Sequence, residues 1–242
     1  MEFLADLHVH SDNSFDGLSG LDDIALAAKK RGLHAVAVTD HNVFTLGSPE
    51  MRHGVLLLPG CEVSTTGGHV TALFCRPFDV LAMRKNGLPS VREAADAIRA
   101  NGGIAVLAHP FAKKGASCEA FAPFIDGAEC CNARAYFKNP GANAEAAAFA
   151  EKYALPAVGG SDAHLAREVG GCFTAVECGS TEELEDAIKA GRCRAVFVKN
   201  SPYLNKGLSQ LRRRMRKKSL KNLVIGIAYI IYCALRTLFG KR

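Results

Sequence analysis

Short apolar runs alternate with amphipathic segments along most of the chain. Seven of these runs have the length of β-strands, at residues 3–9, 34–41, 53–64, 69–75, 103–110, 125–132 and 155–164. Three segments between them space their apolar residues near 3.6 and predict helices, at residues 21–32, 90–103 and 143–154. Ser19 and Ser90 are candidate N-caps, and residues 172–199 repeat the order strand, helix, strand. The alternation predicts an α/β fold with a parallel sheet, and the number of strands favours a closed barrel.

Basic residues are concentrated at the C-terminal end. The chain has a net charge of +6, but residues 206–242 hold eleven of the thirty Lys and Arg and none of the twenty-four Asp and Glu. Residues 1–205 therefore carry a net charge of −5, and the tail carries +11. Such an asymmetry indicates an acidic partner for the tail, either anionic lipid or nucleic acid.

The tail also contains an apolar stretch, residues 223–235, directly after its basic run. Thirteen apolar residues are fewer than the roughly 20 of a spanning helix. We therefore expect this segment to attach the protein to an anionic membrane surface, either peripherally or as a tail anchor. The alternatives are an RNA-contacting arm, a protein-docking helix and a helix that packs on the barrel. No aromatic residue interrupts the basic run before Tyr229, which weakens the RNA alternative. We predict a barrel domain at residues 1–200 and the basic and apolar helical tail at 201–242.

The nine cysteines form no C-x-x-C pair, and no secretory signal precedes them. We expect reduced, mostly buried thiols without a disulfide partner, in a cytoplasmic protein attached through its tail to the inner face of the membrane.

Most of the histidines fall where predicted strands end. Six of the eight do so, and Asp16, Glu62 and Asp162 accompany them. Sites in α/β barrels are built at this rim, and buried ionisable groups are normally paired or bound to metals. Mixed imidazole and carboxylate ligands suit Mn, Fe or Zn, and nine of them exceed the needs of one ion. The pattern predicts two or three divalent ions.

The segments "DLHVHSDNSFDG", "VTDHN", "GCEVS", "LAHP" and "GSDAH", in this order, resemble the PHP (polymerase and histidinol phosphatase) family over residues 3–175. The resemblance implies a distorted (β/α)7 TIM-like barrel and a trinuclear site where a metal-activated hydroxide hydrolyses a phosphate ester. It implies three ligand groups: His8, His10, Glu62 and Asp162; Glu62 as a bridge with His69 and His109; and Asp16, His41 and His164.

Four further residues are candidates for the chemistry. Asp40 could position a ligand or handle a proton, with a surface aspartate as the alternative. Asn132, Arg134 and Arg167 could contact a substrate phosphate, and Arg134 suits bidentate contact. The expected substrate is a small phosphomonoester, a nucleotide or a short oligonucleotide. The alternatives are an amidohydrolase-like metal hydrolase and a non-catalytic, membrane-tethered metal-binding module.

Overall fold

The structure, a computed structural model, describes residues 2–239. The strands are β1 (Glu2–Val9), β2 (Ala35–Val38), β3 (Glu50–Arg52), β4 (Val55–Thr65), β5 (Gly68–Leu73), β6 (Ile104–Ala108), β7 (Gly127–Asn132), β8 (Ala157–Gly160), β9 (Cys172–Glu177) and β10 (Cys193–Phe197). The helices are α1 (Leu21–Lys30), α2 (Val91–Ala100), α3 (Ala142–Lys152), α4 (Leu184–Lys189), α5 (Tyr203–Met215) and α6 (Leu220–Phe239). Every predicted strand and helix is present, and β3 is an addition that the pattern did not indicate.

One sheet curves almost into a closed barrel. Its strand order is β10-β9-β1-β2-β4-β5-β6-β7-β8, and β3 pairs with β4 beside this path. The chain after β8 returns to β1, where Val9 and Ala163 form a parallel bridge and the His10 N–H donates to the Ala163 carbonyl over 2.8 Å. The expected α/β barrel class is therefore confirmed.

The sheet is mixed, which corrects the expectation of a parallel sheet. β5 runs antiparallel to both β4 and β6, and β9 runs antiparallel to both β1 and β10. A tight turn between Thr65 and Gly68 joins β4 to β5, and so short a connection links antiparallel strands only. Glu62 lies opposite Thr71 in this hairpin, so His69, two residues before Thr71, shares its face of the sheet.

The helices α1 to α4 pack against the sheet through buried apolar residues. α2 buries Val91, Ala94, Ala95 and Ile98. Ser90 caps it in a reciprocal pair with Glu93, as predicted. The predicted cap at Ser19 is wrong.

Gly20 occupies the capping position of α1, without a side-chain hydrogen bond. The Ser19 hydroxyl instead accepts a hydrogen bond from the Ala166 N–H over 2.8 Å. This contact ties the loop after β1 to the loop after β8.

The basic and apolar tail forms a pair of antiparallel helices, α5 and α6. They approach closely at Gly207, where a β-carbon would lie 3.0 Å from Cβ of Cys233 and 3.2 Å from Ile230. The helix α6 begins at Leu220, inside the basic run, so it is longer than the apolar stretch alone. By length and composition it could cross a membrane, and little of it is buried.

Candidate metal centre

Nine side chains able to bind metal meet at one end of the barrel. They come from the ends of β1, β2, β6 and β8, from the loops that follow, and from the β4–β5 hairpin. They are His8, His10, Asp16, His41, Glu62, His69, His109, Asp162 and His164. Seven of them line a cavity of about 430 Å³, and His8 and His10 are buried behind them.

The first group of donor atoms comprises Nε2 of His8, Nε2 of His10 and carboxylate oxygens of Glu62 and Asp162. The two imidazole nitrogens lie 3.2 Å apart. Nε2 of His10 lies 3.3 Å from Asp162 Oδ1 and 3.6 Å from Glu62 Oε2, and Nε2 of His8 lies 3.7 Å from Glu62 Oε1. Ligand atoms bound at about 2.1 Å to a tetrahedral ion are separated by roughly 3.4 Å. These spacings therefore suit a single divalent ion.

The second and third groups share residues with the first. Glu62 Oε1 lies 2.6 Å from His69 Nδ1 and 3.0 Å from His109 Nε2, so Glu62 reaches two groups, as the bridging role requires. Asp16 Oδ1 lies 3.4 Å from Nε2 of both His41 and His164.

Two carboxylate oxygens in this cluster lack hydrogen bonds. Asp16 Oδ1 and Glu62 Oε2 are buried and have no hydrogen-bond partner within residues 2–239. A buried carboxylate oxygen without a partner is costly unless a cation satisfies it. Imidazole nitrogens lie beside both atoms, including His41 Nδ1 at 2.6 Å from Glu62 Oε2. The residues present therefore fit divalent metal ions.

The electrostatics of the cluster differ from ligand to ligand. Despite burial, the neighbouring carboxylates raise the pKa of His8 and of His41 to about 10, so these two rings must release a proton when they bind metal. Burial raises the pKa of the Glu62 carboxyl, but His69 and His41 lower it more, and the pKa lies well below its usual value. The pKa of Asp162 is lowered in the same way, chiefly by His10 and His8. Burial, assisted by His41 and His164, lowers the pKa of His10 to about 4. Ionised carboxylates and a neutral imidazole are the forms in which these groups bind metal.

The backbone is constrained where the ligands sit. His109 and Asp162 have φ angles of 28° and 53°, a region that non-glycine residues seldom adopt. Gly160 lies against the backbone of His8, and a β-carbon there would come within 2.4 Å of the His8 β-carbon. Such strain is typical of residues whose orientation matters for function.

Glu129, on β7, belongs to this centre although the sequence analysis did not select it. Its Oε1 lies 3.0 Å from His8 Nδ1, and its Oε2 accepts a 2.7 Å hydrogen bond from the His109 N–H. The carboxylate thus orients one ligand by its side chain and another by its backbone. The available signal was an acidic residue inside a strand that is buried along its whole length.

Asp40 and Asn132 lie beside the cluster and do not line the cavity. Asp40 is fully buried, which excludes a surface aspartate, and accepts hydrogen bonds from Ser11 N–H (2.7 Å), from the Ser11 hydroxyl and from Thr45. The side chain of Asn132 is also fully buried. Its amide donates to Glu129 Oε2 over 3.0 Å, and its carbonyl accepts from the Arg134 N–H over 2.8 Å.

The polar atoms of Asn132 are occupied by these contacts, and neither Asn132 nor Arg167 lines the cavity. Arg167 is exposed. The placement of these two side chains does not support the substrate contacts expected of them. Arg134 does line the cavity, with 8% of its surface exposed.

Helix α5 supplies further residues that the sequence analysis missed. Lys206, Ser209, Gln210 and Arg213 all line the cavity. Their basic run was assigned to an external partner, whereas the structure places one side of this helix against the mouth of the barrel.

Two family models match the chain. Residues 6–107 match the PHP domain, and residues 140–193 match the PHP-associated domain. An uncharacterized protein of Methanocaldococcus jannaschii is 32% identical over 145 residues, which cover 53% of this chain and 81% of that protein. The chain belongs to the PHP family.

Solved structures share the fold at low sequence identity. PsfC from Pseudomonas syringae superposes with a TM-score of 0.60 and 19% identity, over 96% of this chain and 98% of PsfC. A two-domain protein of Bacteroides vulgatus is described as containing a predicted PHP-like metal-dependent phosphoesterase. It superposes with a TM-score of 0.60 and 20% identity, over 81% of this chain and 65% of that protein. The lesion-specific endonuclease PfuEndoQ from Pyrococcus furiosus superposes with a TM-score of 0.57 and 18% identity, over 81% of this chain and 58% of the endonuclease. At these identities the likeness shows the fold alone.

Proposed function

We propose that this protein hydrolyses phosphate esters with divalent metal ions held by the nine-residue cluster. The observation that carries the proposal is the convergence of nine ligand-competent side chains, in which the buried oxygens Asp16 Oδ1 and Glu62 Oε2 have only imidazole nitrogens beside them. Membership of the PHP family and the phosphoesterase and endonuclease names among its structural neighbours support metal-dependent phosphoester hydrolysis as the class of activity.

We assign three ions to the three donor groups, with Glu62 shared between the first and the second. Imidazole and carboxylate donors favour manganese, iron or zinc. When bound, such ions supply a water activated near neutral pH and positive charge for the phosphoryl oxygens.

The protein's own groups hold this centre and the substrate in place. Glu129 fixes the ring of His8 so that Nε2 faces the other donors. Asp40 and Asn132 hold the loops that carry ligands, so we assign them to positioning. Arg134 is the candidate for binding a substrate phosphate, because its guanidinium can present two parallel N–H donors to phosphate oxygens.

The size of the cavity supports the proposed substrate class. A volume of about 430 Å³ suits a small phosphomonoester, a nucleotide or the end of a short oligonucleotide. We therefore propose substrates of these kinds.

The test uses the full chain loaded in turn with Mn²⁺, Zn²⁺ and Fe²⁺. Hydrolysis of a phosphomonoester, a phosphodiester and a 5′-labelled oligonucleotide is measured for the wild type, for Asp162→Ala and for the exposed control Arg167→Ala. The proposal is supported if the wild type and Arg167→Ala hydrolyse an ester and Asp162→Ala does not. Bound metal without turnover of any ester contradicts it, and favours the amidohydrolase-like or the non-catalytic alternative.

We further propose that α6 attaches the protein to the cytoplasmic face of a membrane. Apolar residues spaced by three or four positions are exposed along this helix, at Val224, Ile227, Ile231 and Leu235. The basic run before it favours anionic headgroups.

Flotation with anionic vesicles tests this attachment. We expect the full chain to float with the vesicles. The double variant, which carries both Ile227→Asp and Ile231→Asp, should remain in solution. Leu81→Asp, an equally exposed apolar position outside the tail, is the control and should float. Flotation of the double variant would contradict the assignment to α6.

A further inference from the structure

One side of helix α5 faces the metal cavity along its length. Lys206, Ser209, Gln210 and Arg213 line the cavity, and their spacing of three, four and seven residues places them on one helix face. Gly207 and Leu211, on another side, contact α6. The basic segment is therefore part of the cavity wall.

The cavity wall has a consistent pattern of charge. Its acidic residues are Asp16, Glu62 and Asp162, all candidate metal ligands. The other charged residues that line it within the described chain are cationic: Arg84, Arg134, Lys138, Lys206 and Arg213. A cavity with a metal-binding carboxylate cluster on one part and only cations on the other suits an anionic ligand that bridges the two.

Arg134 is a second, independent observation that points to an anionic ligand. This side chain is 8% exposed, and its Nη1 has no hydrogen-bond partner within residues 2–239. Its Nη2 donates to Ser209 Oγ over 2.8 Å, and its Nε lies 3.8 Å from Glu168 Oε1. A buried guanidinium nitrogen without an acceptor is costly, and a phosphate oxygen would satisfy it.

The two α5 cations are held in position by aromatic rings beside the site. The guanidinium of Arg213 lies 4.9 Å from the centre of the Phe15 ring, which stacks at 4.6 Å on the imidazole of the candidate ligand His41. The ammonium of Lys206 lies 4.6 Å from the centre of the Phe137 ring. Contacts of this kind fix the cations without neutralising them.

Hydrogen bonds anchor both ends of α5 to the barrel. Ser201, just before the helix, donates from its N–H to the Ala133 carbonyl over 2.8 Å, and its carbonyl accepts from the Tyr136 hydroxyl over 2.6 Å. Arg216, just after it, donates to the Asp12 carbonyl over 3.1 Å. The helix is thus fixed across the mouth of the cavity.

We propose that the cavity-facing side of α5, with Arg134, is an anion subsite that binds a phosphate group of the substrate. The basic tail is then a component of the active site as well as a flank of the membrane helix. This inference rests on the proposed phosphoesterase function, and it assigns substrate contacts to Lys206 and Arg213. The buried hydroxyl of Ser209 accepts from Arg134 and donates to the Lys206 carbonyl, so it holds Arg134 in place.

The test measures binding of inorganic phosphate to the metal-loaded full chain by isothermal titration calorimetry. Removing a charged hydrogen-bond donor should weaken phosphate binding about tenfold or more in Lys206→Gln and in Arg213→Gln. Arg212→Gln is the matched control, because Arg212 is an exposed neighbour on the same helix that does not line the cavity. Lys206→Arg retains the charge and should retain the affinity. Bound metal, measured by mass spectrometry, should be the same in all variants.

A second arm identifies the source of the phosphate group. Glycerol 3-phosphate in solution and phosphatidic acid in neutral vesicles each compete with inorganic phosphate. The subsite is supported if either compound displaces inorganic phosphate from the wild type and does so more weakly from Lys206→Gln and Arg213→Gln. Affinities in both variants within twofold of the wild type, with metal content unchanged, overturn it. If no ester is hydrolysed but the two variants still lose phosphate affinity, the proposed function fails and the subsite stands.

Discussion

Nδ1 of His8 lies 3.0 Å from Oε1 of Glu129, and both side chains are at most 3% exposed. The contact leaves Nε2 of His8 directed at His10 and Glu62. Because Glu129 also accepts from the His109 N–H, a single carboxylate orients ligands on two strands. A donor set built from separate strands needs such cross-links to hold its geometry.

Glu129→Gln should weaken metal binding by about ten- to a hundredfold, because the amide keeps the shape of the carboxylate but loses its charge. Competition with a chromophoric chelator measures the change. Glu177→Gln, an exposed carboxylate at the end of β9, is the control and should bind metal as the wild type does. An unchanged affinity in Glu129→Gln would contradict the role assigned to Glu129.

Asp40→Asn should lower the free energy of unfolding by roughly 1–3 kcal/mol, since an amide cannot accept from Ser11 and Thr45 as the carboxylate does. Denaturant titration measures this loss, with exposed Asp23→Asn as the control. If Asp40 only positions the loop, kcat falls while the pH profile of hydrolysis keeps its shape. Disappearance of one limb of that profile would instead assign proton transfer to Asp40.

Much of the barrel and of the metal cluster was predictable from sequence because the strands are short apolar runs bounded by polar residues. The strands β1, β2, β6 and β8 each have a ligand just beyond the strand, as His41 and His109 show, whereas the parallel strand β7 has none there. The apolar pattern of β5 does not give its direction, because the pattern is the same for parallel and antiparallel strands when both faces are buried. The signal was the length of the connection, since the four residues between the runs at 53–64 and 69–75 are too few for a parallel crossover.

The role of α5 was hidden for a different reason. A run such as "LRRRMRKK" has the composition of a solvated or membrane-facing surface, and composition does not reveal which side faces the barrel. The structure shows which side lines the cavity, because Ser209 lies beside Arg134 and Arg213 lies beside Phe15. Glu129 escaped notice because a single acidic residue within "GAECCN" has no spacing signal.

Gly207→Val should separate α5 from α6. The β-carbon of the introduced valine would lie 3.0 Å from Cβ of Cys233 and 3.2 Å from Cα of Ile230. Overpacking of this kind costs about 1–3 kcal/mol, which thermal unfolding measures. Arg212→Val places the same side chain on an exposed face of α5 and should change the stability little. Equal melting temperatures for the two variants would mean that the helix contact contributes nothing.

Phosphate affinity should fall as the pH rises through about 8, because burial, together with Lys138 and Arg134, lowers the pKa of Lys206 to about 8. Below that pH Lys206 is a cation facing these two basic side chains and Cys233 of α6; above it the lysine is neutral and its attraction for phosphate is lost. Lys206→Arg stays charged throughout, since a guanidinium does not titrate in this range. Calorimetric affinities from about pH 7 to pH 9 should therefore decline more steeply for the wild type than for Lys206→Arg. Subtracting the two profiles removes the contributions of the metal centre and of phosphate itself, which both proteins share. Parallel profiles would show that Lys206 does not titrate against the bound anion.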